Sequence, residues 1–240
     1  MDSIYPLLVF VHGAAGALAL ATYWLAAGAT KGGRVHRAAG STYLAVMLAV
    51  VATAVPMAVQ MALAGRPGIA TFLAYLVVIT ATPMWLGRRA VRMKRDQAGY
   101  RAGAYPAVAV INIAVGLGVH AVGWALGQAL LIGFSLIGVV IGVNMLRKRR
   151  TPVAHPRWWM QEHYGAMLGC GVATHIAFLA IGSNRLLAAF GITAPSWFGL
   201  MAWFVPVLVS VLAGLWLDRR YLASPALRTQ APVSVAPARG

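Results

Sequence analysis

Apolar runs of about 20 residues, each closed by a short polar or basic segment, recur along the whole chain, and nothing constrains its fold more. At 1.5 Å per residue such a run spans the ~30 Å hydrocarbon core of a bilayer. The runs fall at about 5–29, 40–64, 69–87, 105–126, 128–146, 162–182 and 197–217. Lysines and arginines gather in the segments at 31–37, 88–101, 147–157 and 219–239, whereas the opposite turns carry only Arg66 and Arg185. One crossing more or fewer would move a basic block to the other side, against the rule that keeps such blocks cytoplasmic. The expected fold is therefore an all-α membrane protein, a bundle of seven transmembrane helices with the N-terminus outside and the C-terminus cytoplasmic. Residues 1–220 are expected to form one domain, and 221–240, rich in Pro, Ala and Ser, a disordered cytoplasmic tail.

The first run follows MDSIYP, which has no basic n-region, so it reads as a first span and not as a cleaved signal peptide. The second run contains Pro56, tolerable in lipid where neighbouring helices satisfy the freed carbonyl. The fourth and fifth are parted only by an uncharged turn near Gly127 and must form a hairpin. Gly123 with Gly127, Gly138 with Gly142, and Gly165 with Gly169 have the spacing that lets backbones approach closely. Asn184 and Arg185 are expected in a short outer loop.

With 60% hydrophobic and 10% charged residues, the chain leaves no room for a large soluble domain. Its net charge of +16 is confined to the segments between apolar runs, which argues for membrane topology and against nucleic acid. The four acidic residues, Asp2, Asp96, Glu162 and Asp218, all avoid the middle of an apolar run, so an intramembrane carboxylate relay is not expected. The lone cysteine, Cys170, excludes an internal disulfide and reads as a packing residue. No lysine lies within an apolar run, which excludes a retinal Schiff base.

The histidines carry what functional signal there is. Counted from the ends of their runs, His12, His120 and His175 lie ~10 to 12 Å beneath the outer surface. His36, His155 and His163 belong to the cytoplasmic face. His163 and His175 share a helix, but twelve residues separate them by ~18 Å along the axis and about 120° around it, so they cannot share a site. Ionisable groups at one depth on three helices point to function, because lipid makes them costly. Three readings follow: a bound haem or transition metal, interhelical hydrogen bonds, or a polar substrate path. Imidazoles without carboxylate or thiolate suit Cu, Fe or Zn, and a pair of them ligates haem iron. His12, His120 and His175 are thus the expected metal ligands. His36 and His163 either form a second cofactor site or, with Arg37 and Glu162, lock two helix ends together.

Three stretches resemble a family of bacterial polytopic membrane proteins defined by a domain of unknown function. They are His12-Gly-Ala-Ala-Gly16-Ala-Leu18; Lys31-Gly-Gly-Arg-Val-His36-Arg37-Ala-Ala-Gly40-Ser-Thr-Tyr43 with Met47; and Trp159-Met-Gln-Glu-His163 with Met167. The His-Arg-x-x-Gly-x-x-Tyr element is the most specific. The resemblance implies a multi-pass protein of a bacterial inner membrane and no particular activity. A looser likeness, to the transmembrane cytochromes b, rests on histidines at two depths of a bundle. It implies haem b, electron transfer, and a quinone or another membrane redox protein as partner. The His163–His175 spacing speaks against two stacked haems in that design.

Overall fold

The computed structural model describes residues 4–151 and 155–222; most of the predicted tail lies outside this range. Seven of its helical segments are long and apolar enough to cross a membrane. In chain order the helices are α1 (Ile4–Gly28), α2 (Arg34–Leu63), α3 (Pro67–Arg92), the short α4 (Gln97–Tyr100), α5 (Ala104–Ala125) and α6 (Ala129–Arg150). Then come α7 (Trp158–Ile176), a π-helical stretch (Ala177–Gly182), α8 (Ser183–Ala189) and α9 (Ser196–Tyr221). No strand occurs among the described residues.

Several helices outrun their apolar runs. α2 starts at Arg34, so His36 and Arg37 belong to its first turn, while α3 and α6 continue to Arg92 and Arg150. A helix need not end where hydrocarbon would, and basic side chains in a last turn complement the negative end of the helix dipole. The loop expected around Asn184 and Arg185 is instead helical. There α7 passes into the π-helical stretch, where Ser183 Oγ donates to Leu179 O and Asn184 Nδ2 to Ala180 O at 2.8 Å. Side-chain donors thus serve carbonyls of the wider turn.

α3 is the hub, packing against α2, α5, α6 and α7, while α1 lies along α2 and also meets α7. α5 and α6 form the expected hairpin, turning at Gly127 with φ of 63°, a conformation that favours glycine. At the basic end of the bundle, Arg89 holds the α4 turn through the carbonyls of Gly99 and Tyr100. Beside it, buried Tyr100, Tyr105 and Trp158 form an aromatic cluster.

Candidate functional site

His36 sits in the first turn of α2 and reaches back to α1, where its Nδ1 lies 3.0 Å from the Ala26 carbonyl. Ala26 belongs to the last turn of α1, whose carbonyls have no partner within the helix. His163, in the second turn of α7, places its Nδ1 3.0 Å from the Gly87 carbonyl of α3. The absent side chain at Gly87 leaves the space that the Met167 methyl group of α7 occupies. The two rings end 6.3 Å apart, centre to centre, with their planes 78° apart.

Carbonyl oxygens only accept, so both Nδ1 atoms carry a proton, and it is Nε2 that keeps the lone pair in the neutral rings. Neither Nε2 has a hydrogen-bond partner among the described residues. Fixing the tautomer through the second ring nitrogen is the arrangement that metal-ligating histidines use. Further into the bundle lies an apolar cluster of Ala19, Tyr43, Met47, Met84 and Cys170, with Met167 packed against it.

The other predicted ligands are dispersed. His12 Nδ1 lies 2.9 Å from Thr53 Oγ1 on α2. His120 places Nδ1 3.0 Å from Ser135 Oγ on α6, and its Nε2 accepts from Trp124 Nε1 at 3.0 Å. His175 donates through Nδ1 to Gly171 O at 2.7 Å and accepts at Nε2 from Trp24 Nε1 at 2.9 Å. The last two rings have no lone pair left for a metal. His155 accepts from the Arg157 backbone N–H in the loop before α7.

The expected centre of His12, His120 and His175 does not form: no group of three or more His, Cys, Asp or Glu residues that could hold a metal exists among the described residues. The shared depth fails as well. Tyr43, whose hydroxyl lies 3.1 Å from Thr174 Oγ1 beside His175, and Thr53, the partner of His12, are both on α2. The ten residues between them are ~15 Å at the helical rise. Counting from run ends assumes upright, level helices, and the α1–α2–α7 packing does not keep them level.

The expected lock also changes membership. His36 and His163 do meet, but Arg37 donates to Gly32 O at 2.9 Å. Glu162, buried, lies 3.6 Å from Arg101 Nη2 and 3.1 Å from Lys148 Nζ. The carboxylate therefore joins α7 to the α4 turn and the end of α6, and α2 takes no part. Of the partners missed from sequence, Trp124 carried a signal, one turn after His120. Trp24, Arg101 and Lys148 carried none, because their contacts depend on which helices are neighbours.

No family model matches this chain, and neither curated proteins nor solved structures provide a match.

Proposed function

We propose that the chain is a multi-pass protein of a bacterial inner membrane, N-terminus outside, that binds one haem held by His36 and His163 and serves electron transfer. The observation that carries this reading is the pair of imidazoles 6.3 Å apart, each anchored at Nδ1 by a backbone carbonyl. One ring comes from α2 and the other from α7, and the nitrogen that each leaves unbonded would hold the group. A lone Zn or Cu ion needs three or four protein donors, and two histidines do not supply them. Haem would bring four nitrogens of its own and ask only two donors of the protein, which His36 and His163 would supply.

Bound haem would supply one-electron chemistry. The protein's part is to hold the two Nε2 lone pairs in place. Ala26 O and Gly87 O fix tautomer and ring direction, and the apolar cluster of Tyr43, Met47 and Met84 limits water on the membrane side. The orientation is supported by the one-sided distribution of basic residues.

The test is haem content and reduced-minus-oxidised absorption of the detergent-purified protein, expressed with haem supplementation. About one haem per chain is expected, falling at least ten-fold in His36→Ala and His163→Ala, because axial and supporting ligands are worth that much. It is expected to persist in His120→Ala and His175→Ala. A colourless wild-type protein would leave the pair as a helix lock, whose loss lowers stability by about 1 to 2 kcal/mol and does nothing more.

A further inference from the structure

At the basic end of α3 a cleft of about 260 Å³ is lined by Trp85, Arg88, Arg89, Arg92 and Met93. One wall is fixed. Arg89 donates to Tyr100 O at 2.9 Å and to Gly99 O at 2.7 Å, and its guanidinium lies 5.1 Å from the centre of the Trp85 ring. The other two arginines are free. Arg88 and Arg92 stand one helical turn apart, both exposed, and neither has an ion pair or hydrogen bond among the described residues. Like charges at this spacing repel, so the pair is unfavourable until an anion lies between them.

No acidic side chain among the described residues provides that anion. Asp96 is turned to the Gly99 backbone N–H, Glu162 to Arg101 and Lys148, and Asp218 to Tyr164 and Gln161. Those are all the acidic side chains among the described residues. An anion from outside would fill the place, and the setting selects its chemistry. Guanidinium groups pair with phosphate oxygens, and a tryptophan where an apolar span meets basic residues is an interfacial anchor. A cleft of about 260 Å³ is smaller than the 300–1,000 Å³ that encloses a whole drug-sized ligand, but it takes a headgroup whose acyl chains stay in the bilayer.

We propose that this cleft is a binding site for the phosphate of an anionic phospholipid, with Arg88 and Arg92 holding the phosphate oxygens and Trp85 beside the glycerol backbone. The inference rests on the membrane placement proposed above and is independent of haem.

It is tested on the full-length protein in non-ionic detergent micelles doped with phosphatidylglycerol or with phosphatidylcholine, by counting lipid that stays bound through gel filtration. Phosphatidylglycerol is expected to be retained over phosphatidylcholine by about ten-fold, from two cationic groups acting on one headgroup. Arg88→Gln/Arg92→Gln is expected to abolish that preference. Arg149→Gln/Arg150→Gln, which removes the same charge from the end of α6, is expected to keep it. The single variants Arg88→Gln and Arg92→Gln, each expected to halve the preference or better, carry the test if the double variant misfolds. Equal loss in the two double variants would show a diffuse basic field and overturn the site. Displacement by inorganic phosphate at the concentration of the lipid would make it a free-phosphate site and overturn the lipid assignment. Haem content of the same samples is expected to be unaltered by either pair, so failure of the haem reading and failure of the lipid site are read separately.

Discussion

Glu162 shows what one buried charge demands of its neighbours. Its carboxylate faces Arg101, only 4% exposed, at 3.6 Å and the more exposed Lys148 at 3.1 Å. Arg101 also donates to Lys148 O, yet its Nε has no partner among the described residues. Removing the carboxylate leaves a buried guanidinium uncompensated, and breaking a buried pair in this way costs about 3 to 5 kcal/mol. Glu162→Gln is therefore expected to lower stability by about 3 kcal/mol, measured by denaturation in mixed micelles, because the amide removes the charge that compensates Arg101. Arg101→Met/Glu162→Met should recover most of the loss, since neither charge then remains in the low-dielectric interior. A loss from Glu162→Gln below about 1 kcal/mol, the level of an exposed pair, would mean that water reaches Arg101.

Among the elements, the α5–α6 hairpin and α7 use glycine differently although the spacings look alike in sequence. A Cβ at Gly138 would stand 2.9 Å from Asn112 O and 2.9 Å from Tyr75 Oη, and the Gly138 N–H donates to that same hydroxyl at 2.7 Å. Backbone on one side and a hydrogen-bonded phenol on the other leave little to yield. Gly138→Ala is expected to cost about 1 to 3 kcal/mol, the range for overpacking. At Gly165 a Cβ meets nothing within 4 Å. Gly165→Ala is expected to be neutral or to stabilise α7 by up to about 1 kcal/mol through helix propensity. Melting midpoints of the two variants should thus move apart, and equal shifts would contradict the packing of α5 on α6.

At the scale of the whole molecule, the basic ends of α3 and α6 both meet the α4 turn, through Arg89 and Arg101, and the α2–α3 turn lies at the opposite end of α3. The single native cysteine, Cys170, is fully buried, so thiol labelling has a quiet background. If the N-terminus lies outside, as proposed, Arg66→Cys should react with a membrane-impermeant maleimide on intact cells. Lys94→Cys should react only after the membrane is opened. The reverse pattern would invert the orientation and place the histidine pair and the arginine cleft on the outer face.

The seven helices long and apolar enough to cross a membrane, their approximate limits and the hairpin at Gly127 were legible in the chain itself, because each depends on local hydropathy, length and charge. The six histidines were equally plain, and so was the division of His163 from His175, since one helix fixes that distance by its rise. Their partners were not. Whether His36 meets His163, or Glu162 meets Arg101 and not Arg37, depends on helix neighbours, tilt and rotation about each axis. Those quantities are set by packing between segments distant in sequence, at contacts such as Gly87 against Met167 and Gly138 against Tyr75. Depth counted from sequence placed His12 and His175 together; only the tertiary structure separates them and pairs the two rings at the basic end.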